Sequence, residues 1–169
     1  MRRFVREAAF ATRPETLTGA YAAALSRYSD GAEAAVYLLR DGGYHLAEGQ
    51  VAGTGEMLDA DDLALMAMRA EPKALVPDAD TSRLKAALIA PMVNRNEVIG
   101  VALLGPKPSG ASFRPDEIEL VGWATRQIGL DLYALKVERL EVSEADLRNT
   151  VAMLRNEVAT LRSVIPQRT

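Results

Sequence analysis

The chain has 169 residues, 49% of them hydrophobic and 25% charged, with a formal net charge of −3. That length suits one ordinary domain with its own core, the hydrophobic content argues against disorder, and the mild acidity offers no basic field, so no nucleic-acid partner is expected. The absence of cysteine and the single histidine, His45, exclude disulfides, thiolate metal sites and thiol catalysis, and leave any catalytic triad or heme ligation to one imidazole.

No apolar run approaches the roughly 20 residues that span a bilayer, and residues 1–11 lack the long apolar core of a signal peptide. A cytoplasmic protein is expected, or the cytosolic part of a membrane-anchored one. Residues 1–11 read as a short helix or linker, made basic by Arg2, Arg3 and Arg6. This is either a solvated helix start or a segment flanking a membrane span, where Arg and Lys are favoured.

Thr12-Arg13-Pro14-Glu15 has the form of a capping box with proline in the first turn. Leu17, Tyr21, Leu25 and Tyr28 then recur at helical spacing, and Ser29-Asp30-Gly31 ends the helix. Residues 34–39 read as a buried strand, Asp41-Gly42-Gly43 as a tight hairpin turn and residues 44–48 as the returning strand. Residues 49–57 read as an irregular, glycine-rich stretch. Asp59 is expected to cap a helix over residues 60–70 with an apolar stripe of Leu63, Met66, Ala67 and Ala70. Pro72 stops that helix, residues 73–76 suggest a short strand and residues 77–81 a loop. Residues 85–93 and 97–104 are nearly all apolar, as expected for a sheet covered on both faces. The turn between them is Asn94-Arg95-Asn96, and Pro91 marks a strand end or a bulge. Pro115 opens the last helix, with acids in its first turn.

Pro91-Met92-Val93, the run from Val98-Ile99-Gly100-Val101 to Gly105, the stretch from Phe113-Arg114-Pro115-Asp116-Glu117 to Leu120, and then Ala124 and Gln127-Ile128-Gly129 together resemble the C-terminal half of a GAF domain. The likeness covers residues 12–135 and is most specific in its second half. It implies an α+β, GAF/PAS-like fold: a central antiparallel sheet of about five to six strands flanked by helices. The first and last helices would pack on one face, often at a dimer interface. The other face would carry a small-molecule pocket under the helix of residues 61–70. Fold alone fixes no ligand.

Branches of the family differ in chemistry. Relatives that attach bilins, and the methionine sulfoxide reductase branch, use cysteines that this chain lacks. Heme would depend on His45, which sits on a hairpin strand. Lys107, Phe113 and Asp116-Glu117 are similar to a pattern of cyclic-nucleotide-binding relatives, but Pro106 replaces an asparagine and the final spacing is short by one residue. These positions also have plain roles, Phe113 as a core plug and the acids at a helix start. No cofactor or metal is expected.

The resemblance and the placement of residues together nominate Tyr37, Tyr44, Met66, Arg69, Thr81, Arg83 and Met92 as ligand-facing, with Asp78 and Asp80 on the same loop. Each also has an ordinary alternative as core or solvated surface. No paired acid and base, phosphate loop or activated nucleophile is visible, so the chain does not read as an enzyme.

From Val137 a heptad takes over, through residues 136–165, with residues 166–169 as a tail. Leu140, Leu147, Leu154 and Leu161 occupy one core position. Val137, Val151, Val158 and Ile165 occupy the other, with Glu144 the exception. β-branched residues at the first position and leucine at the second favour a parallel dimer. Lys136 with Glu141, and Glu157 with Arg162, have the spacing of pairs across such a seam. The alternative is an amphipathic helix folded onto its own domain, though that normally shows a wider stripe. A continuous helix over residues 115–163 would extend about 70 Å, with Pro166 ending it. The expected protein is therefore a non-catalytic sensory or regulatory homodimer that relays signal along this helix to an output domain, on binding an unknown small ligand. The alternative is a ligand-free dimerisation or docking scaffold.

Overall fold

The computed structural model describes residues 1–8 and 11–164. It divides into two compact units, the first spanning Met1–Tyr133 and the second beginning at Ala134. The first holds helices α1 (Arg2–Ala8), α2 (Pro14–Tyr28) and α3 (Leu63–Ala70), strands β1 (Ala34–Arg40), β2 (Gly43–Gly49), β3 (Met57–Leu58), β4 (Leu88–Asn94) and β5 (Glu97–Leu104), and the start of α4 (Pro115–Val164). The five strands form one antiparallel sheet in the order β3-β2-β1-β5-β4.

Two tight turns set the sheet. Asp41 and Gly42 take φ of 48° and 81°, and Arg95 and Asn96 take 46° and 69°. Both pairs close two-residue hairpins whose left-handed backbone matches the twist of the strands. Pro91 lies inside β4 and does not end it. β4 is an edge strand with a register shift between Met92 and Val93, so a residue without an N–H is tolerated there. The expected strand at residues 73–76 is reduced to one bridge, Leu75 with Ile89, with both hydrogen bonds at 2.9 Å. The next outward-facing position on β4 is Pro91, which has no amide to continue the ladder. Irregularity ends earlier than expected, because Met57 and Leu58 pair with His45 and Tyr44 as a short β3.

Helices α2 and α4 cover one face of the sheet. Leu17, Tyr21 and Leu25 of α2 and Val121, Ala124 and Ile128 of α4 are buried there. The Tyr21 hydroxyl joins the Thr125 hydroxyl between the two helices, and the ring of Phe4 on α1 stacks on Tyr21 at 6.0 Å. Gly129 allows α4 to approach β4, since a Cβ there would lie 2.8 Å from the Met92 Cβ. The capping box at α2 does not form: Arg13 holds the N-cap position and its side chain makes no capping hydrogen bond.

Candidate functional site

The opposite face of the sheet lies under α3. Alternation along β1 sends Ala35 and Tyr37 to this side, where they meet Tyr44, Val51 and Leu58 from the hairpin region and Ile89, Val101 and Leu103 from the far strands. Helix α3 closes the face with Ala64, Leu65 and Met68. Tyr37, Leu65 and Met68 are at most 1% exposed. The space where a ligand would lie between lid and sheet is therefore filled by the chain's own side chains. The Tyr37 hydroxyl is also satisfied internally. It donates to the Gly55 carbonyl at 2.7 Å and lies 3.0 Å from the Thr54 hydroxyl, which itself donates to the Val51 carbonyl.

The phase of α3 differs from the expected one. The cap is Asp62, not Asp59, and the inward residues are Ala64, Leu65 and Met68, not the stripe through Leu63, Met66, Ala67 and Ala70. Asp62 decides this. Its carboxylate accepts from the Ala64 amide at 2.9 Å, the Ser82 hydroxyl at 2.9 Å and the Arg83 amide at 2.7 Å. Burial acts to raise its pKa, but these hydrogen bonds prevail and hold it below the usual carboxylate value. This knot pins the lid's N-terminus to the loop before β4. The only sequence signal for it was a third aspartate in the Asp59-Ala60-Asp61-Asp62 run, with no means of ranking the three as caps.

The nominated ligand residues consequently scatter. Tyr37 and Tyr44 share the filled face. Arg69 is exposed, donates to the Ala60 carbonyl and lies close enough to influence Tyr44. Burial pushes the Tyr44 phenol up, and the Arg69 charge partly offsets that shift. Met66 projects into solvent at 47% exposure. Thr81 is exposed, and its amide donates to the Asp78 carbonyl at 3.2 Å. Arg83 reaches Asp59 at 2.7 Å with both side chains largely in water. Met92 is buried on the α4 side against Gly129, on the wrong face for a ligand shared with Tyr37. His45 lines a separate polar hollow of about 530 Å³ with Arg40, Asp41 and Glu56. Among the described residues no cluster of three carboxylate or histidine side chains could hold a metal ion.

The positions similar to a nucleotide-binding pattern are occupied with one another. Lys107 sits 2.8 and 2.9 Å from the two carboxylate oxygens of Glu117, with both residues buried, and 5.0 Å over the Phe113 ring. Glu117 also accepts the Arg114 amide at 2.8 Å. That amide bond, then the Lys107 contact, holds the Glu117 carboxyl below its ordinary range. The cluster locks the loop before α4 to the first turn of that helix.

Grooves also open around the start of α4. One, of about 500 Å³, lies between α4, Pro91 of the edge strand and the segment at Lys73 and Ala74. Another, of about 950 Å³, runs between Arg2 and Arg6 of α1, Tyr28, and Asp116, Glu119, Leu120 and Trp123 of α4.

In the second unit, Leu140, Leu147, Val151, Leu154 and Val158 are between 46% and 63% exposed. Val137 is half-buried. Glu144, the polar break in the seam, is held along its own helix by Arg148 at 2.6 Å. The Leu161 side chain, Ile165 and Pro166 lie outside the described residues. Among the described residues no helix is long and apolar enough to cross a membrane.

The sequence pattern of the GAF domain family matches residues 12–132. No curated protein is similar to the chain in sequence. Among solved structures, the GAF domain of a phosphoenolpyruvate-protein phosphotransferase from Acinetobacter is similar, with a TM-score of 0.67 at 14% identity, covering 80% of this chain and 92% of that one. Residues 122 to 287 of a methyl-accepting chemotaxis protein superpose with a TM-score of 0.64 at 11% identity, covering 79% and 97%. A free methionine-R-sulfoxide reductase from Neisseria meningitidis, in complex with its substrate, gives a TM-score of 0.64 at 15% identity, covering 81% and 88%. At these identities the likeness is one of fold.

Proposed function

The chain belongs to the GAF domain family, and we propose that it is a non-catalytic regulatory module that works as a parallel homodimer, with α4 relaying conformation between the domain and an output domain. The observation that carries this reading is the unpartnered apolar series on α4. Leu140, Leu147, Val151, Leu154 and Val158 keep heptad spacing with their side chains in water. Each such residue gains about 1.5–3 kcal/mol on full burial, and two copies side by side would supply that burial. The filled face under α3 favours the ligand-free form of this module, in which packing, not a bound molecule, holds the lid. A chain with a folded reductase relative but no cysteine also has no thiol with which to do thiol chemistry.

The test is the mass in solution of Leu147→Asp/Leu154→Asp against the parent chain. The parent should be dimeric and the variant monomeric, with unchanged helix and sheet content. A parent that stays monomeric at high micromolar concentration would sink the proposal.

A second reading, a small-molecule sensor, is favoured by the Tyr44 phenol lying beside Arg69 at the margin of the filled face. An α3 that lifts would uncover Tyr44 for a ligand that the already exposed Arg69 could also reach, and signalling would require that ligand to prefer one state of the helix over the other. Native mass spectrometry of protein purified gently from its own host separates the readings. Extra mass supports the sensor, and bare polypeptide mass supports the ligand-free module.

A further inference from the structure

Two side chains at the β3 edge of the sheet are not accounted for by the core. Met57 stands on the two-residue strand β3 with 60% of its surface in water. His45, on β2, is the chain's one histidine, and among the described residues its ring has no hydrogen-bond partner. The register makes these two residues direct cross-strand partners. The Leu46 amide donates to the Glu56 carbonyl at 2.7 Å, so Leu46 and Glu56 form a hydrogen-bonded pair. His45 and Met57, the next pair along, are then a non-hydrogen-bonded pair, the kind whose side chains stand closest. Tyr44 and Leu58 turn to the filled face under α3, so alternation sends His45 and Met57 to the other side of the sheet. There Gly43 leaves a gap between them. A Cβ on residue 43 would stand 3.3 Å from the Met57 sulfur and 3.4 Å from His45 Nε2. An imidazole nitrogen and a thioether sulfur thus flank one point that no side chain fills.

We propose that His45 and Met57 form a two-donor site for a soft monovalent cation, copper(I) or its analogue silver(I). A thioether selects such ions, and imidazole binds copper as well. Typical metal–nitrogen and metal–sulfur bonds run about 2.0 and 2.3 Å, so the donors need to draw in by about 1 Å toward the shared point. Met57 can make that move, being exposed, unbranched and adaptable. The hollow of about 530 Å³ beside His45 opens the ring to solvent. Arg40 lines that hollow, and its positive charge penalises a doubly charged ion more than a singly charged one. A bound ion would staple β3 to β2 directly, at the free edge of the sheet.

The absence of cysteine removes the usual competing thiolates, and the other exposed methionines serve as internal controls. The full chain, labelled at the methionine methyl groups, is titrated with silver nitrate in chloride-free buffer and followed by NMR. The Met57 methyl and the His45 ring should move together and saturate at one ion per chain, before Met66 and Met153 respond. Met57→Leu and His45→Gln should each weaken binding at least tenfold, with circular dichroism unchanged. Gly43→Ala, which keeps both donors and fills the point between them, should weaken it as well, and it stands in for either variant that fails to fold. Zinc(II) at the same concentration should leave the Met57 methyl in place. Equal responses at Met57, Met66 and Met153 would mean indiscriminate thioether binding and overturn the site. An unchanged His45 response in Met57→Leu would overturn the pairing, and a matching shift with zinc(II) would overturn the assignment to a soft ion.

Discussion

Helix α3 and the domain's part of α4 cover opposite faces of one sheet, and both leave apolar side chains in water. On α3 these are Leu63 and Met66, at 53% and 47% exposure. On α4 they are Trp123, Leu130 and Tyr133. Exposure alone does not separate the two helices. Periodicity does: the α3 pair sits on an eight-residue helix with no repeat to join, whereas the α4 residues stand at heptad spacing before Val137 and Leu140. The inward sides differ too. The α3 side is closed by large side chains, Tyr37, Leu65 and Met68, while the α4 side is built for close approach, with Gly129 against Met92. Scattered exposed apolar residues are normal on a protein surface, and an interface is indicated when they recur in the phase of an adjoining repeat.

The largest effect should come from breaking the closed face. Leu65→Ala, fully buried under the lid, is expected to cost about 3 kcal/mol, and Met66→Ala on the same helix less than about 0.5 kcal/mol. Thermal unfolding of the pair checks this. Equal losses would mean that α3 sits in another phase. A smaller effect follows from the lock at the start of α4. Lys107→Met leaves the Glu117 carboxylate in a largely buried site without its nearer cation, at about 2 kcal/mol near neutral pH, kept below the usual range for a buried pair because the Arg114 amide and the Arg114 guanidinium at 3.7 Å remain. The sign with pH is fixed. Glu117 has a folded pKa below its ordinary 4.5, so its contribution is present above that value and lost as pH falls through the folded one. The gap between parent and variant should therefore narrow in acid, and a gap independent of pH would show that Lys107 acts through packing alone.

The smallest effect sharpens the account of α4. Asp131 is partly buried with Oδ2 unpartnered, and burial raises its pKa against a lowering hydrogen bond from Gln127. A raised carboxyl favours the folded state only while protonated, below its unfolded pKa, and that advantage is lost as pH rises through the folded value. Asp131→Asn should thus stabilise by about 0.5–1 kcal/mol at pH 7, near the low end for an unpartnered buried acceptor. The gain should disappear in denaturation curves below pH 3.8, the ordinary carboxyl value.

Much of the fold was legible because its signals are local. Asp41-Gly42 and Arg95-Asn96 supply left-handed turns, Pro115 with Asp116 and Glu117 opens a helix, and the apolar runs give β4 and β5. The ligand residues were far less legible. A seven-residue choice from Tyr37 to Met92 presumed a face for each side chain, and face depends on phase. Plain alternation along β4 from Ile89 sends Met92 to the far side of the sheet, and one cap at Asp62 was enough to turn Met66 into water.

The sequence by itself determined the family, the order of helices and hairpins, and the heptad repeat, because spacing, turn chemistry and propensity act over a few residues. Only the tertiary structure decided which aspartate caps α3, that the face beneath it is filled, and that Lys107 and Glu117 pair with each other. It also set Trp123, Leu130 and Tyr133 on the outer side of α4. Those outcomes are settled by residues far apart in the chain competing for the same partners and the same space, and no local pattern records who wins.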